Sequence, residues 1–348
     1  MPTTEKNRIL VALLAILALV AVGFVLKSAK AVILPLMIAW LLSYILTPII
    51  NVLVRMKVPT TLSVFLVLIL LLGIFYLGGV LIQERVTAFA KEYPKYQLRF
   101  AEITNAVKSS IKIPANFFQG IQIGQKVGTF VVRLSGSLMN FFSNLMMVLI
   151  FLMFLLLAKP YFKFKIKKAF SSDQADRVSR IIESISKQIG SYLALQFCIS
   201  LTTGVLVWLA LVVIGVDFAA TWGILAFILN FIPTVGSIIA SLLPVLVATI
   251  QFYPSYWTPI ICLVSMLIIQ MIMGNVVSPK VMGDRLNLSP VAILLSLLFW
   301  GWLWGIIGAL LSVPFTAAIM IVCENIEPLQ PISIMMGSGK RYQKEFTS

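Results

Sequence analysis

The chain has 348 residues, 60% of them hydrophobic and 11% charged, with 27 basic against 12 acidic residues and no histidine. A mean hydropathy of +1.03 excludes an ordinary soluble domain, in which about a quarter of residues are charged, and the missing histidine removes the commonest metal ligand and proton shuttle. The net charge of +15 is no argument for a nucleic-acid face, because the basic residues sit beside apolar runs and so read as membrane topology.

Apolar runs fall at about 9–26, 31–54, 60–83, 138–158, 192–216, 218–252, 257–277 and 289–323. Crossing a hydrocarbon core of about 30 Å takes roughly 20 apolar residues as a helix, and these runs do not alternate as barrel strands would. They predict an all-α polytopic membrane protein of about eight transmembrane elements, two of them interrupted or re-entrant, with amphipathic helices outside the bilayer. The first run follows Lys6 and Arg8; since further spans follow and no small-residue cleavage site closes it, it is expected to be a span rather than a leader.

Residues 1–83 thus hold spans one to three. In the polar segment 84–137, Val86, Phe89, Ala90, Phe100, Ile103 and Val107 recur at helical spacing, predicting amphipathic helix broken at Pro94 and near Pro114, on the periplasmic side. A fourth span, 138–158, leads into a basic cytoplasmic segment, 159–190. There Ser171 or Ser172 is a candidate N-cap, and Val178, Ile181, Ile182, Ile185 and Ile189 mark one apolar face running into the fifth span. Lys163, Lys165, Lys167 and Lys168, interleaved with Phe162, Phe164 and Ile166, suit a juxtamembrane anchor on anionic lipid. Residues 191–323 form a C-terminal bundle and 324–348 a cytoplasmic tail. With both termini cytoplasmic, most of the basic residues fall on the inner side.

That parity requires 289–323 to enter and leave on one side, so its 35 residues, broken by Gly301, Gly305, Gly308 and Pro314, are expected to form a tight hairpin or re-entrant element. The run 218–252 is similar: Phe218 to Ile232 is short for a span, and Pro233 and Gly236 follow at once. Broken backbone at membrane depth is tolerated only where protein buries it or a cavity receives it, since each unpaired amide in lipid costs several kcal/mol. Aligned, "GSIIASLLPVLVATI" (236–250) and "GIIGALLSVPFTAAI" (305–319) share an order of glycine, paired isoleucines, paired leucines and proline, and paired Gly/Pro-interrupted segments point to a transporter's solute site.

No carboxylate lies mid-span; Asp217, Asp284 and Glu324 come nearest. What the bundle offers is neutral: Gln196, Ser200, Thr202 and Thr203 on the fifth span, Asn230, Thr234 and Ser237 around the first break, and Gln270, Asn275 and Ser278 at the end of the seventh element. Amides and hydroxyls of this kind either bridge helices or bind a small, uncharged, hydroxyl-rich solute. Trp300, Trp302 and Trp304 are open to two readings, an interfacial belt or a pocket wall. In the loop "GNVVSPKVMGDRLNLSP" (274–290), Lys280 and Arg285 either obey the positive-inside rule or belong, with Pro279, Gly283 and Asp284, to a gating loop. Cys198, Cys262 and Cys323 lie within apolar runs, so no disulfide or metal site is expected. There is no Walker loop, HExxH or GxSxG, so neither an enzyme nor a nucleotide-driven pump is expected, and no cofactor or nucleic-acid partner.

"NFIPTVGSIIASLLP", "GNVVSPKVMGDRLNLSP" and "FWGWLWGIIGALLSVP", in this order of spans, resemble the autoinducer-2 exporter family, also called the PerM-like permeases. The resemblance covers almost the whole chain. It implies a bacterial inner-membrane secondary transporter, multi-pass and homo-oligomeric, exporting the quorum-sensing signal autoinducer-2 or a similar small polar solute. The alternative it leaves open is a sodium or lithium/proton antiporter. The family's motif positions carry over to Asn230, Pro233, Gly236, Asn275, Pro279, Gly283, Gly305, Gly308 and Pro314. Charge at Asp284 and Arg285 is not part of what the motif demands.

Overall fold

The computed structural model describes residues 3–80, 84, 98–99, 102, 123–282 and 286–339, with backbone alone for 3–12, 15–16, 19 and 123–143. Expectations for the polar segment 84–137, including breaks at Pro94 and Pro114, therefore fall largely outside the described residues, as do Gly283, Asp284, Arg285 and the tail from 340. The described chain is helical, without a strand. In order come α1 (Thr3–Ser28), α2 (Lys30–Arg55), α3 (Thr60–Val80), α4 (Ile123–Ala169), α5 (Ser172–Ile214), α6 (Ala219–Leu229), α7 (Val235–Gln251) and α8 (Trp257–Met271). A π-helical turn (Ile272–Val277) then leads to α9 (Ser278–Met282), α10 (Pro290–Trp304), α11 (Ile306–Glu324), a short 3-10 turn (Glu327–Leu329) and α12 (Gln330–Met336).

Six described helical stretches are long and apolar enough to cross a membrane: Lys30–Arg55, Thr60–Val80, Asn144–Ala169, Ser172–Ile214, Trp257–Met282 and Ile306–Glu324. Large apolar side chains such as Leu17, Phe24, Ile69, Val213 and Leu298 stand exposed along the helices. Apolar surface on that scale is tolerable in hydrocarbon and not in water. α4 and α5, of 47 and 43 residues, far exceed what a span needs. The expected span 138–158 is the middle of one unbroken helix.

The chain divides into two compact units, the first Met1–Pro48, Leu145–Ile189 and Asn287–Ser348, the second Ile49–Asn144 and Gly190–Leu286. The second holds the hairpin of α6 and α7. α5 ends at Gly215, whose φ of +82° is in the left-handed region that suits glycine. α6, only 11 residues long, then packs back against α5 and α7. The packing depends on small side chains: Ala226, Ala240 and Ala248 are buried with Val207, Leu211, Cys262 and Met266, as small residues let helices approach closely in a membrane. α5 and α6 approach closely where Gly204 faces Gly223. A Cβ added to Gly204 would lie 2.7 Å from the Gly223 carbonyl oxygen, and one on Gly223 2.7 Å from the Trp208 Cβ.

The first unit holds the hairpin of α10 and α11. Ser289 caps α10, its Oγ accepting from the Ala292 amide at 3.1 Å, and Pro290 occupies the first helical position, where its missing N–H costs nothing. α10 stops at Gly305, with φ 68° and ψ −145°, a conformation essentially reserved for glycine. Beyond this turn α11 is buried along most of its length, and Phe315 packs on Trp300 and Trp304 with ring centroids 5.0 and 5.7 Å away. The end of α1 is tied to the tip: Trp304 Nε1 donates to the Leu26 carbonyl at 3.1 Å, and Lys27 lies 4.2 Å over the exposed Trp302 ring. At the hairpin's open end, residues after α11 fold back as α12. Two backbone bonds of 2.8 Å, Ser289 N–H to the Met336 carbonyl and Ser338 N–H to the Asn287 carbonyl, fasten it to the start of α10.

Candidate functional site

In the second unit a polar cluster sits at the first break. Gln196, buried on α5, donates from Nε2 to the Asn230 carbonyl at 2.7 Å and to Ser200 Oγ at 3.3 Å. Asn230, at the last turn of α6, donates from Nδ2 to the same Ser200 Oγ at 3.0 Å. Pro233 cannot continue the helix, and Thr234, exposed with φ 58°, makes the turn into α7; its hydroxyl donates to the Pro233 carbonyl at 2.7 Å. Gly236 lies directly beneath the Leu229 carbonyl, where any Cβ would overlap the oxygen. The break is thus a close-packed turn whose freed carbonyls at 230 and 233 are met by side chains.

Gly308 has the same task in the first unit: a Cβ there would overlap the Trp300 carbonyl oxygen. The sequence alignment pairs Gly236 with Gly305, but the close approach of helix to helix belongs to Gly308, three residues later. Gly305 has no heavy atom near a would-be Cβ and supplies the turn instead. Pro314 is buried in α11. The structure therefore joins Gln196 to Asn230 and gathers Pro233, Thr234 and Gly236 into one turn, while Gly305, Gly308 and Pro314 belong to the other hairpin. Asn275 is exposed in the π-helical turn, and Pro279 exposed on α9; neither hydrogen-bonds to the Gln196 cluster. Trp300 and Trp304 are buried in their own hairpin and Trp302 is not.

Three arrangements escaped the sequence. Gln251, at the end of α7, closes the base of the first hairpin: its Oε1 accepts from the Asp217 amide and its Nε2 donates to the Gly215 carbonyl, both at 2.8 Å. The Arg99 guanidinium donates to the Gln251 carbonyl. In the second hairpin Ser296, Ser312 and Thr316 form a buried hydroxyl group, with Ser296 Oγ donating to the Ser312 carbonyl at 2.9 Å and touching Thr316 Oγ1. Beside it opens a cavity of about 720 Å³, walled by α10, α11 and α12 and including Ser289, Ser296, Trp300 and Thr316. The signal available was modest: hydroxyls spaced four apart in "SVPFT", and two prolines, Pro328 and Pro331, each opening a helical turn.

Long apolar helices, two helical pairs whose members are mostly too short to cross, and neutral polar groups at a break define a polytopic membrane transporter. The pattern of the AI-2E family transporter matches residues 11–327, and the chain belongs to that family. Among relatives, a putative transport protein of Borreliella burgdorferi is 35% identical over 314 residues, covering 90% of this chain and 87% of its own. The AI-2 transport protein TqsA of Escherichia coli K12 is 30% identical over 346 residues, covering 94% and 95%. The putative transport protein YhhT of the same organism is 28% identical over 335 residues, covering 94% of each. Family and relatives are transport proteins, not enzymes.

Proposed function

We propose that this chain is a secondary transporter that exports autoinducer-2, or a solute of similar size and hydroxyl content, and that Gln196 and Asn230 meet the solute. One observation carries the reading. Gln196 donates to the Asn230 carbonyl at the break and to Ser200, and Asn230 donates to Ser200, while neither amide oxygen, Gln196 Oε1 nor Asn230 Oδ1, has a hydrogen bond among the described residues. Two acceptors without a protein partner beside a turn suit a solute rich in hydroxyls. The name of the TqsA relative points the same way. On this reading the protein lies in a bacterial inner membrane as a homo-oligomer, with both termini cytoplasmic and lysines 163–168 against anionic headgroups. Thr234, Asn275, Pro279 and the segment 283–285 are then parts of the pathway or its gate rather than of the polar cluster.

The test is flux from proteoliposomes of the purified chain loaded with isotope-labelled autoinducer-2. The expected result is release well above protein-free vesicles, reduced at least fivefold by Asn230→Ala with the folded fraction unchanged. Release equal to protein-free vesicles overturns the reading. If a sodium gradient instead drives proton movement in the same vesicles while autoinducer-2 stays inside, the protein is an antiporter.

A further inference from the structure

The cavity at the open end of the second hairpin has a chemistry unlike that of the Gln196 cluster. Its walls are mostly apolar: Leu295 and Phe299 of α10, Ile319 of α11, and Ile332 and Met335 of α12. Its volume of about 720 Å³ lies within the range of small-molecule sites. Two of its polar groups, Ser296 and Thr316, touch one another, and the donor between them follows from the other bond of Ser296. Ser296 has a single hydroxyl hydrogen, and it is directed to the Ser312 carbonyl. The contact between Ser296 Oγ and Thr316 Oγ1 therefore has Thr316 as donor. That leaves Thr316 Oγ1 with its hydrogen committed and lone pairs to spare, on the wall of an apolar cavity. Such an atom accepts from a ligand and cannot donate to one.

We infer that this cavity is a binding site for a small amphiphile, an apolar body carrying one hydroxyl or amine donor, which is held at Thr316 with its body against Leu295, Phe299 and Met335. α12 forms the outer wall, fastened by the two backbone bonds at Met336 and Ser338. Methionine walls adapt to bodies of different shape, so the donor rather than the outline of the body sets the preference. The inference does not depend on what the Gln196 cluster transports.

The test uses full-length protein in nanodiscs and a matched pair of probes, 1-naphthol and 1-methoxynaphthalene, which share the apolar body and differ in the donor. Calorimetric titration is expected to give saturable binding of both, with naphthol favoured about fivefold, the worth of one net hydrogen bond. Thr316→Val, nearly isosteric, is expected to erase the preference while leaving methoxynaphthalene binding intact, and Thr316→Ser to restore it. Ala292→Phe, which fills the cavity, is expected to abolish saturable binding of both, and unchanged helical dichroism shows that the variants fold. Equal affinity for the two probes in the parent chain overturns the inference. So does saturable binding that survives Ala292→Phe, or heat that never saturates and reports bilayer partition alone.

Discussion

At the scale of single residues, the two hairpins rest on a few positions where one atom more is too many. Gly236 and Gly308 each sit under a backbone carbonyl that cannot yield, because it belongs to the helix being packed against. Gly236→Ala and Gly308→Ala are expected to cost more than the roughly 1–3 kcal/mol of ordinary overpacking, read as loss of monodisperse protein in detergent. Gly301→Ala, where the nearest atom is 3.8 Å away, is expected to leave the thermal midpoint within about 2 °C. Gln196→Leu addresses a different economy. It removes two donors from the break, and polar contacts between helices in membranes average only about 0.6 kcal/mol. The stability change should be near 1 kcal/mol while flux falls severalfold, and equal loss of both would assign Gln196 to packing alone.

At the scale of elements, each hairpin is held at its open end by a different device. The first is closed at its base by Gln251, which bridges Gly215 and Asp217, and the second by α12. Ser338→Pro removes the N–H that binds the Asn287 carbonyl, so amide exchange at residues 330–336 is expected to quicken about tenfold with no change across α6 and α7. Arg177 offers a second test: its Nε donates to the Asn325 carbonyl at 3.1 Å, at the end of α11, where a cation also favours the helix terminus. Arg177→Gln is expected to speed exchange at 322–326 severalfold. The helix breaks were readable in the sequence because proline and glycine act on their own backbone. The pairing of Gln196 with Asn230 was not, since the two are 34 positions apart and only the return of α6 along α5 joins them. Ser296, Ser312 and Thr316 were hidden for another reason: hydroxyls within apolar helices leave the periodicity unchanged, and their mutual contact exists only once the hairpin has closed.

At the scale of the whole molecule, charge and hydropathy alone placed the chain in a membrane, while the boundaries of the elements depended on packing. α4 runs unbroken from Ile123 to Ala169 and carries its lysines on the same helix as its apolar stretch. Each lysine near an anionic surface contributes about 1 kcal/mol. Replacing Lys163, Lys165, Lys167 and Lys168 with glutamine is therefore expected to remove the rise in thermal midpoint that phosphatidylglycerol gives over phosphatidylcholine, and a rise that persists would assign the lipid effect elsewhere. The shortness of α6 has a consequence for biogenesis. Eleven residues extend about 16 Å, too little to be taken into the bilayer as a segment in its own right, so α6 cannot be inserted as it leaves the ribosome. α6 and α7 are therefore expected to enter together as a hairpin that packs on α5 where Gly204 receives Gly223. A chain stalled between Asn230 and Gln251 is then expected to leave α6 at the membrane surface, a target for quality-control proteolysis.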